Sequence, residues 1–375
     1  MLVQLAAAGT LAIWLYLLLF RGGFWREFGR PVPPPAPSRK APRIVAVAPA
    51  RDEAGVVGRA IASLAAQHPP GYFHIILVDD HSTDSTAAEA ETAAPRELLT
   101  VVHASPLPAG WTGKLWAVAE GVRAAAQHRP DYLLLTDADI VHGPDNAAAL
   151  AARAESENYD LVSYMATLAC KTPAERALAP AFVFFFFLLY PPAWVRNSRH
   201  STAGAAGGCM LIRHRTLQQI GGIAAIRGEL IDDCALARAV KRHGGRVWLG
   251  LSETTHSIRP YRTFGEIGRM ISRSAFTQLR HSTLLLAGTV AGLVVTYLGP
   301  PLLTIFAPQP AAGMAALAWL LMSVCVLPAL RFYRRGWFGA PLLPLVALFY
   351  LGATIRSAVD YWRGAGGLWK GRVQG

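Results

Sequence analysis

Between residues 43 and 135 short apolar runs alternate with helical stretches, and no other feature limits the fold so strongly. Residues 43–48, 73–78, 98–103 and 132–135 read as buried strands. Residues 55–67, 82–93 and 114–127 read as the helices between them. Strands separated by helices build a parallel sheet, because parallel neighbours need long crossovers. The expected fold class is therefore α/β with a mostly parallel sheet. Ligands of such sheets bind beyond the carboxyl ends of the strands.

The polar residues follow that rule. The first strand runs into Pro49-Ala50-Arg51-Asp52-Glu53, and the second into Asp79-Asp80-His81-Ser82-Thr83-Asp84. The fourth runs into Asp137-Ala138-Asp139. Two carboxylates one residue apart on a strand tip suit a hard divalent cation, which takes oxygen ligands and can bridge phosphates. Each cluster also has a purely structural reading, and Asp52 or Asp84 can simply cap the next helix. No GxGxxG stretch and no Walker lysine loop is present, which argues against a Rossmann dehydrogenase and a P-loop enzyme.

Hydrophobic residues make up 53% of the 375-residue chain and charged ones 16%, too apolar for an ordinary soluble enzyme. Residues 2–20 carry no charge and are followed by Arg21, Arg26 and Arg30. An uncleaved anchor over 1–22 is expected, with the chain beyond it on the cytoplasmic side. A linker over 23–42 ends in the stiff stretch PVPPPAPSRKAP, 31–42. Three more apolar stretches, near 284–306, 311–330 and 338–355, are long enough to span a bilayer. Gly299-Pro300-Pro301 interrupts the first, which predicts a kink or a re-entrant turn. The loop 331–335 and the tail with Arg363, Lys370 and Arg372 are both basic, so the positive-inside rule cannot satisfy both if all three stretches cross.

The organisation read from the sequence is an anchor at 1–22, a linker at 23–42 and an α/β domain at 43–258. Beyond these come a basic interfacial helix at 259–282, apolar helices at 283–357 and a basic tail at 358–375. The net charge of +12 comes from 36 basic and 24 acidic residues. Its placement beside apolar segments points to anionic headgroups and a phosphorylated substrate, not to nucleic acid. Cys170, Cys209, Cys234 and Cys325 lack paired spacing and read as reduced and buried.

The segments VAVAPARDEAGVVGRAIASLAAQ, IILVDDHSTDST, GKLWAVAEGV, LLLTDADI, GGCMLIRHRTLQQIGG and IDDCALARAVKRHG occur in that order. With these motifs the chain, from about residue 43 to 280, resembles glycosyltransferase family 2. The anchor arrangement, the segment RPYRTFGEIGRMISRSAF and the terminal WKGR are similar to the hopene-associated glycosyltransferases of bacterial hopanoid clusters.

The resemblance implies a GT-A fold that binds a nucleotide-sugar donor with Mg²⁺ or Mn²⁺. Glu53 and Asp80, with Pro49, Arg51 and Asp79 beside them, match positions that hold ribose and base. Lys114 matches a position near the donor. Asp137 and Asp139 match the metal motif, with Asp139 the direct ligand. His256, after a strand expected at 246–251, matches a place where some relatives complete the metal shell. Asp233 matches the catalytic base, at the start of a helix ending near 242–244, where the helix dipole favours a carboxylate. The family usually has Glu-Asp there and this chain has Asp232-Asp233, so either carboxylate can be the base.

A second departure lies at Met270-Ile271-Ser272-Arg273-Ser274, where related membrane enzymes carry Gln-x-x-Arg-Trp. Only Arg273 remains, and its planar fork can still grip a diphosphate. The missing tryptophan favours a single transfer over polymer synthesis. On the acceptor side, residues 177–195 hold an aromatic run that includes Phe185 and Phe186. Pro180, Pro191 and Pro192 are expected to restrict its helix to a short central piece. The run reads as an interfacial segment that guides a lipid acceptor, with Trp194, Arg196 and Arg199 at the headgroup boundary, or as plain core packing. Gly207 and Gly208 read as close backbone approach to a ligand or as a tight turn.

The expected activity is an inverting, metal-dependent transfer of a sugar to a membrane lipid, with a hopanoid as one acceptor. The expected place is the bacterial inner membrane, with the catalytic domain facing the cytoplasm. Two other classes fit parts of the pattern. A nucleotidyltransferase also uses strand-end carboxylates and a metal, but makes little use of Asp233. A catalytically degenerate membrane scaffold would not need Asp137, Asp139 and Asp233 together.

Overall fold

The computed structural model describes residues 1–29, 41–69 and 71–364, and the backbone of 368–369 and 372–373. The proline-rich stretch, apart from Ala41 and Pro42, and Lys370 lie outside the described residues. The chain forms two compact units. One comprises Met1–Arg30, Cys170–Ala193 and Tyr261–Gly367; the other comprises Pro31–Ala169, Trp194–Pro260 and Leu368–Gly375. The sequence pattern predicts an α/β domain unbroken from 43 to 258, but Cys170–Ala193 falls in the apolar unit.

The α/β unit is built on an eight-stranded sheet. Its strands are β1 (Ile44–Ala50), β2 (Phe73–Asp79), β3 (Leu99–His103), β4 (Tyr132–Leu135), β5 (Ile140–Val141), β6 (Leu161–Thr167), β7 (Met210–Arg213) and β8 (Val247–Ser257). Their order across the sheet is β3-β2-β1-β4-β7-β6-β8-β5. The pairs β3/β2, β2/β1, β1/β4 and β6/β8 are parallel. The pairs β4/β7, β7/β6 and β8/β5 are antiparallel.

Every residue of β1 and β2 is buried, as expected for parallel strands covered on both faces. Between them the helix Val57–Ala65 buries Val57, Ala60, Ile61 and Leu64, one stripe at helical spacing. The helix Gly113–Ala125 begins at a Thr112 cap, whose hydroxyl accepts from the Leu115 amide. It lies close on β1 because Gly121 has no side chain. A Cβ there would strike Val47 and approach Val78 Cγ2 to 2.8 Å.

β8 runs to Ser257 and does not stop near Leu251, so His256 lies inside the strand instead of after it. The polar residues that hide this extension from hydropathy are held by pairing, His256 opposite Val141 and Ser257 opposite Ile140.

Among the described residues the apolar unit contains four helices long and apolar enough to cross a membrane: Leu2–Leu19, Thr283–Phe306, Ala311–Phe332 and Trp337–Trp362. The second continues past Gly299-Pro300-Pro301. A π turn at Val294–Leu298 precedes the prolines, which sit at the start of the next helical stretch, where their missing N–H is tolerated.

Pro180 does not break the aromatic run. The helix spans Pro173–Leu189 with Pro180 inside it, starting from a Thr172/Glu175 capping box. An internal proline costs about 3 kcal/mol. Burial of Leu178, Val183, Phe184 and Phe187 along the same helix offsets that cost. The Phe185 ring meets Tyr297 and Tyr350 edge to face. Phe186 is half-buried beside Tyr190. Cys209, Cys234 and Cys325 are buried, whereas Cys170 is half-buried; none of the four is in a disulfide.

Candidate active site

The loops at the carboxyl ends of β1 and β2 are pinned to each other. Asp52 and His81 both hold left-handed backbone, with φ of 49° and 56°. Asp and His tolerate that region better than most residues. The Asp52 amide donates to Ser82 Oγ at 3.0 Å, and the Thr83 amide returns a bond to Asp52 Oδ1 at 2.8 Å. Arg51 Nη1 donates to the Asp80 carbonyl at 2.5 Å and lies 3.7 Å from its carboxylate. Asp79 accepts from the Ser82 amide and lies 3.3 Å from His103 Nδ1, so it braces the loop. Asp84 accepts from the Thr86 and Ala54 amides and so joins the two loops, while the N-cap position of the helix Thr86–Ala93 is Ser85, not Asp84. Burial raises its carboxyl, but these bonds and the Thr86 hydroxyl together outweigh that and hold it low.

The centre of the site is a cluster of carboxylates around one ammonium. Lys114, from the second residue of its helix, places Nζ 2.8 Å from Asp137 Oδ1 and 3.0 Å from Asp232 Oδ2. Burial alone would lower this lysine, yet Asp137 and Asp232 together hold it above its ordinary value. Asp232 and Asp233 open the helix Asp232–Arg242. Asp233 Oδ2 accepts from the Gly207 amide at 2.9 Å, and Oδ1 accepts from the Cys234 amide at 2.7 Å. Burial and the neighbouring Asp232 charge push Asp233 up to about 6, against the pull of Lys114 and the two amides.

Gly207 stands where a Cβ would lie 3.4 Å from Asp233 Oδ2 and 3.5 Å from Lys114 Nζ. Its backbone therefore approaches both groups. Gly208 serves packing instead, since a Cβ there would lie 3.0 Å from Ile140 Cδ1. Pro49, Lys114, Asp137, Gly207 and Asp232 line one pocket.

A second cluster surrounds Arg259, two residues beyond β8. Its Nε donates to Asp139 Oδ2 at 2.7 Å. Its Nη2 donates to Glu53 Oε1 and Oε2 at 2.6 and 2.5 Å. From the sequence alone Arg259 is only one cation of a basic stretch. Its signal is its position, the first cation after a strand that ends beside the acidic motif.

Asp137 and Asp139 are hard oxygen donors and fit Mg²⁺ or Mn²⁺. Mg²⁺ is commonly held by one or two carboxylates with the remaining places taken by substrate phosphates and water. Among the described residues no three His, Cys, Asp or Glu side chains form a complete protein cage. His256 is exposed. Partial loss of hydration against the neighbouring chain lowers its imidazole, which favours the neutral form a metal requires. Arg273 lies in the helix Phe264–Gln278 of the apolar unit.

Trp194 stacks on His200, with ring centroids 4.4 Å apart. Arg196 lies over Trp248 and donates to the Leu249 carbonyl, so it is tied into the α/β unit. Lys241, on the Asp232–Arg242 helix, donates to the carbonyls of Trp194, Asn197, His200 and Thr202 at 2.7–3.3 Å.

Residues 42–277 match the family described as glycosyltransferase like family 2. The chain belongs to that family. A solved structure of the mannosyltransferase PcManGT from Pyrobaculum calidifontis, in complex with GDP-Man and Mn²⁺, is similar in fold at a TM-score of 0.58 and 16% identity. The match covers 96% of this chain and 99% of that one. Glucosyl-3-phosphoglycerate synthase from Mycobacterium tuberculosis, in complex with Mg²⁺ and uridine-diphosphate, matches 64% of this family 2 chain and 79% of its own. Its identity is 18% and its TM-score 0.43. No curated protein matches the chain. The family 2 domain makes the protein a glycosyltransferase, and its α/β unit has the GT-A-like fold.

Proposed function

We propose that this family 2 enzyme transfers one sugar, with inversion, from a nucleotide-sugar donor to a membrane lipid, specifically a hopanoid. The observation that carries the reading is the cluster formed by Asp233, Asp232, Lys114, Asp137 and Gly207. The acceptor hydroxyl approaches Asp233, which removes its proton as the oxygen attacks the anomeric carbon. The carbon–oxygen bond to the acceptor forms as the bond to the diphosphate breaks, and the nucleoside diphosphate leaves. Asp233 is favoured as base over Asp232, because Asp232 is held by Lys114 while Asp233 bonds only to backbone amides among its described partners.

Pro49, Arg51, Glu53, Asp79 and Asp80 form or brace the nucleoside side. Lys114 and Asp137 are assigned to the diphosphate. Asp139 and Asp137, with His256 in reserve, would hold Mg²⁺ or Mn²⁺, which supplies Lewis-acid neutralisation of the leaving diphosphate when bound. Phe185, Phe186 and Trp194 are assigned to the lipid side. The four apolar helices support membrane association, and the cations after the first support a cytoplasmic catalytic unit in a bacterial inner membrane.

The test uses the detergent-purified chain with Mg²⁺, bacterial lipid extract and a panel of labelled nucleotide sugars. A labelled lipid whose formation needs Asp137, Asp139 and Asp233 supports the reading. Transfer of the nucleotidyl group to the acceptor, with release of a sugar phosphate, would identify a nucleotidyltransferase instead.

A further inference from the structure

We infer that Arg259 is an exchangeable internal cation. It occupies Asp139 and Glu53 in the donor-free enzyme and yields them when a divalent ion and a nucleotide sugar bind. The inference rests on the reading of Asp139 as a metal ligand.

Three observations carry it. The guanidinium bridges two carboxylates that come from different loops, one after β1 and one after β4, with three contacts of 2.5–2.7 Å. Both carboxylates are largely covered, at 10% side-chain exposure for Glu53 and 13% for Asp139, whereas Arg259 is 30% exposed. Left without a cation, two such close carboxylates would repel and lose hydration. Asp139 Oδ2 and both carboxylate oxygens of Glu53, the residues assigned to the metal and the ribose, are the acceptors of this arginine.

Release needs no rearrangement of the main chain. The Ile258 amide donates to the Asp139 carbonyl at 2.9 Å, which fixes the backbone just before Arg259 to the metal motif. The side chain can then swing while its Cα stays in place. A freed guanidinium fork suits the donor's phosphate oxygens. The charge on Asp139 and Glu53 is thus matched before binding by the arginine and afterwards by the ion and donor.

Mn²⁺ binding to the detergent-purified full chain, followed by electron paramagnetic resonance without nucleotide, tests this. Arg259→Gln should bind Mn²⁺ at least about tenfold tighter than wild type, because the guanidinium no longer competes with the ion for Asp139. Its melting temperature should be lower without Mn²⁺, and Mn²⁺ should raise it more than it raises wild type. Arg259→Lys, which keeps the charge but cannot fork, should fall between the two. Equal Mn²⁺ affinity in wild type and Arg259→Lys, or weaker binding in Arg259→Gln, would overturn the inference. Asp139→Asn made in both backgrounds separates the two levels. If it leaves Mn²⁺ binding intact, the metal assignment itself fails, whatever Arg259 does.

Discussion

Lys114 and Asp232 form an ion pair of 3.0 Å, and the same ammonium reaches Asp137 at 2.8 Å. One cation thereby ties the strand-end acidic motif to the helix that carries the proposed base. The pairing sorts two adjacent aspartates into different roles, because it occupies Asp232 and leaves Asp233 with amide partners.

Asp233 should govern the acid limb of the reaction. A base works ionised, and burial with the Asp232 charge sets this carboxyl near about 6. Raising the pH through that value removes its proton, so kcat/KM should rise and then level off. A pH profile of sugar transfer checks this, and Asp233→Asn should remove the limb.

Lys114→Met should move that limb to higher pH. Lys114 favours the ionised form of Asp233, and its loss leaves Asp232 and Asp233 as like charges side by side. Activity at low pH should fall more than activity at high pH. An unchanged profile would mean that the ammonium does not act on the base.

Gly121→Ala should weaken donor use from a distance. The new methyl group strikes Val47 and crowds Val78 on β1 and β2, which cannot yield easily in a buried sheet. Overpacking of this kind costs about 1–3 kcal/mol. The helix should shift and carry Lys114 with it. The expected results are a lower melting temperature and a raised KM for the donor.

Lys241→Met should loosen the segment Trp194–Thr202. Four carbonyls lose their common donor, at a cost of about 1–3 kcal/mol. Lys241→Arg should not restore the melting temperature, because a planar fork does not fit a site shaped for a compact ammonium.

The first half of the α/β unit was legible in the sequence because its strands are buried on both faces. Continuous apolar runs such as 75–78 announce themselves, and strand ends then locate Glu53, Asp80, Asp137 and Asp139. β6 and the end of β8 were not visible, since Ser163, Thr254 and His256 break the apolar pattern, and the exposed end of β8 is held by pairing with β5. Pro180 misled because a proline predicts a break only where neighbours do not offset it. Arg259 was hidden for another reason. Its importance lies in two carboxylates more than a hundred residues away, Glu53 and Asp139, and no local pattern records such a contact.

The most direct measurement compares Asp233→Asn with Asp232→Asn in transfer from a labelled nucleotide sugar to lipid. Loss of general-base catalysis costs about 10²–10⁴-fold. The account predicts a fall of that size in kcat for Asp233→Asn with donor binding retained, and a smaller fall with altered donor KM for Asp232→Asn. Undiminished turnover in Asp233→Asn would contradict the assignment of the base.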